Sequence, residues 1–348
     1  RLLVPAFYNC HSHIAMTLMR GYGENLKLQD WLTQRVFPFE AHLDDDAIYW
    51  GTLLGAAEML RFGIVGTSDM YFRLDQEARA FGEAGAKANL SNGITMFDAP
   101  EFEAMNSVRE TRAALRDLDG AYDGRIKIDF SLHAEYTSTE PLVRRLVDEI
   151  RRQNGQRVHV HVSETKLEHE ECKARHGGRT PARYLRDCGL FDVPTTAAHC
   201  VHLTQEDMQL LAKRRVSAVH CPVSNLKLAS GCADVMGMVK AGMNVCLGTD
   251  SVASNNNLDL FEEIKAYTLM AKAKTGDPTA IPAEAALMMA TVCGAKAQGR
   301  EKECGQIKLG MDADLILLDF TQPHLIPCHN VLSNLVYAAS GHDVVLTM

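Results

Sequence analysis

A chain of 348 residues, 46% hydrophobic and 23% charged, can build one large domain with a small appendage, or two ordinary domains. Its formal net charge of −8 argues against nucleic acid as a partner, because phosphate binding needs clustered Lys and Arg. No apolar run approaches the roughly 18–20 residues of a membrane span and no signal-peptide pattern is read; the ten cysteines form no CxxC pair, which fits reduced thiols in a cytoplasmic protein.

In chain order, β-rich runs are expected at 2–11, 63–71, 93–98, 125–133, 157–164, 195–199, 217–221 and 244–250. The stretches between them show apolar spacing of three and four, as in 46–62, where Ile48, Leu53, Ala56, Met59 and Leu60 fall near one face. Eight strands alternating with helices predict an α/β fold, a (β/α)₈ TIM-like barrel over residues 1–300. The rival, a doubly wound open sheet, lacks its GxGxxG turn after the first strand. Residues 301–348 read as part of a small β domain, with two strand-like stretches in 305–319 joined by a turn at Gly310.

Function in such a barrel sits at the C-terminal ends of the strands. The first strand ends in Asn9-Cys10-His11-Ser12-His13, whose imidazoles at i and i+2 point to one side and can reach one metal ion. The fifth carries His159-Val160-His161-Val162-Ser163-Glu164, the sixth ends in His199-Cys200-Val201-His202, and the eighth in Thr249-Asp250. Singly, each has an ordinary reading, a hydrogen-bonded core histidine or a helix N-cap. Together they aim ionisable groups at one mouth, which is costly unless a divalent cation satisfies them. His133-Ala134-Glu135 supplies the HxE of the other zinc-deaminase architecture, but Pro327-Cys328 is followed by His329-Asn330-Val331 and gives no PCxxC.

The pattern resembles the amidohydrolase superfamily and, within it, the 5-methylthioadenosine/S-adenosylhomocysteine deaminases, near the chlorohydrolases and guanine deaminases. The resemblance spans nearly the whole chain. It is carried by the motifs above, by Trp31 through Glu40, by Val223-Ser224-Asn225-Leu226-Lys227-Leu228-Ala229-Ser230-Gly231, and by Gly248-Thr249-Asp250 running into Ser254-Asn255-Asn256-Asn257-Leu258-Asp259. It implies that His11, His13, His161 and Asp250 hold one divalent ion per chain, zinc by preference, with iron(II) or manganese(II) as alternatives. Glu164 corresponds to a proton shuttle and His199 to a histidine that bonds the attacking water or the substrate. Asp250 would serve as ligand and as base. Glu40 corresponds to a ribose-binding glutamate and His133 to a base contact, with Trp31 in the segment that caps the site. A bridging lysine would lie at the end of strand four, and Lys127 sits well upstream of that position.

The implied activity is hydrolytic deamination of an aminopurine nucleoside, such as methylthioadenosine, adenosylhomocysteine or adenosine, to the inosine-type product and ammonia. The alternatives are a deaminase or chlorohydrolase of another amino-heterocycle, such as guanine or a triazine, and a non-enzymatic metal-binding protein. Retention of Glu164 and His199 weighs against the last. A small-molecule substrate is expected, with no nucleic acid or membrane partner, and a homo-oligomer is compatible with the sequence. Two positions depart from the family pattern: Glu135 stands where proline is common, and Ser251 where glycine is. Glu135 reads either as a solvated loop residue or as a carboxylate favouring a base with more donors, such as guanine. Flanks present in the family pattern and lacking here suggest a piece of a longer protein.

Overall fold

Ala6 divides the first expected strand. The computed structural model describes residues 1–153 and 156–348; in it Leu2–Pro5 (β1) leaves the barrel and Phe7–Ser12 (β2) enters it. The barrel continues through Ile64–Met70 (β3), Lys87–Ser91 (β4), Gly93–Ile94 (β5), Ile126–Ile128 (β6), Phe130–Ala134 (β7), Val158–Val162 (β8), Thr195–His199 (β9), Ser217–His220 (β10) and Asn244–Leu247 (β11). Neighbours pair in parallel, β2 with β3, β3 with β4, β4 with β6, β5 with β7, then β7 through β11 in order. β4 with β5 makes the third stave and β6 with β7 the fourth. The fold is thus the expected eight-stave α/β barrel.

Between the eighth and first staves the seam is closed largely by side chains. Asn9 Nδ2 donates to Thr249 Oγ1 at 2.7 Å, the Thr249 amide donates to Asn9 Oδ1 at 3.0 Å, and the Asp250 amide donates to the His11 carbonyl at 3.0 Å. A side chain at Gly248 would have its Cβ 2.9 Å from the His11 amide nitrogen and from Val219 Cγ1. Only glycine lets the eighth stave lie this close to the first.

The third stave begins earlier than the expected 93–98. Lys87-Ala88-Asn89-Leu90-Ser91 alternates polar with apolar residues, the polar ones facing the barrel's lower interior and its rim. Asn89 Nδ2 donates to Asp129 Oδ2 at 2.9 Å and to the Gln298 carbonyl at 3.1 Å, while the buried Arg300 donates to Asn89 Oδ1 at 3.3 Å. The expected pair of strands in 305–319 reduces to one, Leu315–Leu318 (β12), which lies antiparallel between β1 and Val344–Thr347 (β13). Both edges of β12 are therefore taken, and Ile307 and Leu309 remain exposed. The helix expected over 46–62 runs Asp45–Arg61, capped by the Asp44 carboxylate, which accepts from the Ala47 amide at 2.8 Å.

Every residue of β8 is buried. Val158, Val160 and Val162 face the surrounding helices and His159 and His161 face the barrel axis, the alternation a twice-covered parallel strand requires. Among the described residues no helix is long and apolar enough to cross a membrane.

Candidate active site

Three of the polar strand ends carry a kink. Ser163, His199 and Asp250 have φ of 50°, 67° and 59°, the left-handed region that costs a non-glycine residue about 1–3 kcal/mol and persists where surrounding structure fixes it. The turn at Ser163 is fixed by Glu168. Its carboxylate accepts from the Ser163 amide at 2.9 Å and the Glu164 amide at 2.7 Å, while its own amide donates to Thr165 Oγ1 at 3.1 Å. This capping box starts the helix Lys166–Arg175 immediately after Glu164.

The structure brings His11, His13, His161, His199, Glu164 and Asp250 together at the C-terminal mouth of the barrel. The ring centroids of His11 lie 4.9 Å from His13, 4.9 Å from His161 and 5.1 Å from His199. Each imidazole is oriented from behind. His13 Nδ1 donates to the Met70 carbonyl and His161 Nδ1 to the His133 carbonyl, both at 2.6 Å; His199 Nδ1 donates to Asn225 Oδ1 at 3.0 Å. His11 Nδ1 lies 3.1 Å from His159 Nε2. With Nδ1 of His13 and His161 donating to carbonyls, Nε2 of each keeps its lone pair directed inward.

Asp250 Oδ1 lies 3.5 Å from His11 Nε2 and 3.4 Å from His13 Nε2. Its Oδ2 accepts from Ser224 Oγ at 2.6 Å and Ser254 Oγ at 3.0 Å. Burial alone would raise the Asp250 carboxyl, but His11, His199 and His13 around it hold it well below the usual carboxylate range. Burial pushes His11 down to about 3 and His161 well below the imidazole range, so both stay neutral, the state in which they ligate metal. His11 Nε2 is buried without a hydrogen-bond partner among the described residues. An orphaned imidazole nitrogen facing a carboxylate oxygen and further imidazoles is a donor set suited to a divalent ion. The ligand atoms of His11, His13 and Asp250 lie within 4.8 Å of one another, as do those of His11, His161 and His199.

Glu164 is buried beside this cluster, with its Oε2 3.8 Å from His199 Nε2. Burial raises its carboxyl, His199 offsets part of that rise, and Asp250 adds to it. For His199, burial is outweighed by Glu164, Asp250 and the Asn225 carbonyl, which hold the imidazole above its ordinary value.

A cavity of about 210 Å³ opens above these groups. Its lining includes His133, Tyr136, Asn92 and Ser251 and the apolar side chains of Met16, Leu28, Trp31, Leu32, Val36 and Phe37. Glu40 projects into the cavity beside the buried Tyr71 hydroxyl. Burial pushes the Glu40 carboxyl up to about 7 against the opposing effect of Tyr71.

Glu135 is neither a solvated loop residue nor a pocket carboxylate. It is 1% exposed and turned from the cavity, its Oε2 accepting from Arg175 Nη2 and its Oε1 from His176 Nε2, each at 2.7 Å. Both partners stand at the end of the helix that begins after Glu164, which reaches the strand-four turn because β7 and β8 pair side by side. Lys127 also lies far from the mouth, donating to Glu303 Oε1 at 2.9 Å and to the Gly299 carbonyl at 3.3 Å.

Sequence reasoning gave no role to the residues that hold these groups, although they fall within the motifs quoted above. His159 shares the inward face of β8 with His161, two residues on, so the same alternation could have marked it. Ser224 and Asn225 come from the helix Pro222–Lys227 after β10, and Ser254 from Val252–Asn255 after β11. Nothing local marked them as partners of Asp250 and His199.

The model of the amidohydrolase family matches residues 2–348. A 5-methylthioadenosine/S-adenosylhomocysteine deaminase of Pelotomaculum thermopropionicum is 45% identical over 341 residues, covering 98% of this chain and 77% of its own. A 5′-deoxyadenosine deaminase of Methanosarcina acetivorans is 44% identical over 348 residues, covering 100% of this chain and 79% of its own. The crystal structure of an adenosine deaminase from Xanthomonas campestris with bound zinc superposes with a TM-score of 0.92 at 36% identity, over 98% of this chain and 77% of that one.

Proposed function

The chain belongs to the amidohydrolase family, and from that premise and the geometry of its pocket we propose that it hydrolytically deaminates an aminopurine nucleoside, giving the inosine-type product and ammonia. The observation that carries this reading is the facing arrangement of Glu164 and His199 beside the His–Asp cluster, with Glu40 across the same cavity. The relatives named as deaminases of methylthioadenosine, adenosylhomocysteine and 5′-deoxyadenosine support it.

His11, His13, His161 and Asp250 would hold one divalent ion, zinc by analogy with the Xanthomonas campestris structure. Such an ion, when bound, supplies a water of lowered pKa and polarises it for attack. A single ion is favoured because the end of strand four offers His133, while Lys127 is committed to Glu303 at the opposite end.

The protein's own groups then divide the proton traffic. The Asp250 carboxylate takes a proton from the attacking water, its plane held by the Ser224 and Ser254 hydroxyls. Glu164, raised by burial, is poised to protonate the ring nitrogen next to the reacting carbon. Its carboxylate then takes the hydroxyl proton of the tetrahedral intermediate and hands it to the amino group, which leaves as ammonia, and the proton held on Asp250 returns to Glu164 for the next turnover. His199, fixed by Asn225, donates from Nε2 to the oxygen that becomes negative in the tetrahedral intermediate. Glu40 accepts from the ribose hydroxyls, and His133 and Tyr136 bound the purine. Ten unpaired cysteines support a cytoplasmic setting.

The test is ammonia release by purified, metal-loaded protein across methylthioadenosine, adenosylhomocysteine, 5′-deoxyadenosine, adenosine, adenine and guanine. Turnover of nucleosides ahead of both free bases is expected. Guanine ahead of every nucleoside overturns the proposal.

A further inference from the structure

We propose that Glu135, Cys172 and His176 form a second divalent-cation site, of zinc type, outside the substrate cavity and weaker than the cluster at the mouth. Ligand atoms of the three side chains lie within 4.8 Å of one another. Cys172 and His176 stand at i and i+4 at the C-terminal end of the helix Lys166–Arg175, where the His176 amide donates to the Cys172 carbonyl at 2.9 Å. That spacing puts both side chains on one face. Glu135 comes from the turn after β7, its Oε1 2.7 Å from His176 Nε2. None of the three is among the residues that line the cavity.

A thiolate, an imidazole and a carboxylate suit zinc, and the two anionic groups neutralise its charge. The helix C-terminus adds negative potential at the same place. Glu135 and Cys172 are buried, whereas the His176 side chain is 22% exposed, so the ion enters from that side and a water completes its tetrahedron there. Stacking on Tyr184, with ring centroids 3.8 Å apart, holds the His176 ring in place. Two costs set the weaker affinity. Burial and Glu135 push the Cys172 thiol up, and Arg175 Nη2 already donates to Glu135 Oε2 at 2.7 Å. Arg175 has a second acceptor in Glu171 Oε2 at 3.3 Å, so its charge stays paired when the ion draws on Glu135. Binding forms metal bonds to sulfur, imidazole nitrogen and carboxylate oxygen. The thiol proton passes to solvent, and the neutral imidazole keeps its one N–H on the nitrogen away from the ion. The ion then ties the turn that follows His133 to the helix that begins after Glu164.

The experiment adds cobalt(II) to the zinc-loaded protein and follows thiolate-to-cobalt charge-transfer absorption in the near ultraviolet. The cluster at the mouth offers imidazoles and a carboxylate but no thiolate, so cobalt exchanging into it adds nothing to that signal. The absorption is expected to saturate at one cobalt per chain and to be displaced by excess zinc. Cys172→Ser should abolish it. His176→Gln, at a half-buried position, should weaken cobalt binding at least about tenfold, the least that even a residue behind a metal ligand costs. Should the buried Cys172→Ser fold poorly, His176→Gln decides alone. Absence of the absorption in the parent overturns the proposal. So does absorption that survives in Cys172→Ser, or an affinity that His176→Gln weakens by less than that factor.

Discussion

Oε2 of Glu164 stands 3.8 Å from Nε2 of His199, both side chains buried, each shifting the other's proton affinity. The pair keeps a proton-donating carboxyl and a charge-stabilising imidazole on one wall of the cavity. Glu164→Gln preserves shape and removes the shuttle, so kcat should fall at least about 10²-fold with metal content unchanged. His199→Asn should also retain metal. Activity of Glu164→Gln within a few-fold of the parent would assign the proton transfer to another group.

Metal content separates the ligands from their neighbours. His11→Ala and Asp250→Ala should each lose both the ion and turnover, and elemental analysis of the parent should find about one ion per chain. Two tightly held ions, or a metal-replete and active Asp250→Ala, would require a different ligand set.

Glu40 makes substrate affinity depend on pH. With its carboxyl pushed up to about 7, the charged acceptor for the ribose hydroxyls is present above that pH and is lost as pH falls through it. KM for a nucleoside should rise up to about tenfold from pH 8 to pH 6, one decade of ionisation. Glu40→Gln should flatten that profile, and Glu40→Ala should cost nucleoside kcat/KM about 2–4 kcal/mol while barely touching a free base. Linkage fixes the sign for stability. A carboxyl whose folded value is raised contributes stability below its unfolded value, and that contribution is lost as pH rises through the folded one. Glu40→Gln should therefore melt higher than the parent at pH 8, with a smaller gap at pH 5. An unchanged KM profile in Glu40→Gln would remove Glu40 from the ribose site.

Glu135 should matter to stability and not to choice of base. Glu135→Ala leaves Arg175 and His176 without their buried acceptor and should cost about 1–3 kcal/mol in chemical unfolding, discounted because Arg175 is partly solvated. The ratio of adenosine to guanine turnover should not move. A shift of that ratio toward adenosine would return Glu135 to the pocket.

How much of this was legible follows from the periodicities involved. His11 and His13 announce themselves at i and i+2, and His161, His199 and Asp250 stand where apolar runs stop, so the barrel and a cluster of ionisable groups at its mouth follow from spacing, while the ligand set comes from the family resemblance. The third stave was misplaced because Asn89 and Ser91 are polar; the partners of Asn89, which are Asp129, Gln298 and Arg300, lie far along the chain, and Ser91 donates to the Asp69 carbonyl of the preceding stave. The orientation of Glu135 was equally hidden, since its partners come from another βα unit. Local pattern shows which residues face inward. Which inward residues meet depends on closure.

That closure has a consequence in time. Asn9 and Thr249 bond across a separation of 240 residues, and His11 and Asp250 lie on either side of the same seam. During synthesis the first stave must wait for the eighth, its imidazoles without their carboxylate, until the roughly 240 residues that separate Asn9 from Thr249 have been made. Contacts of such long range form slowly, so competence to bind the ion should appear late and abruptly rather than grow with the chain. An ion that binds His11, His13 and Asp250 would then act as a clasp, its loss loosening the barrel first along the line where the ends of the sheet were joined.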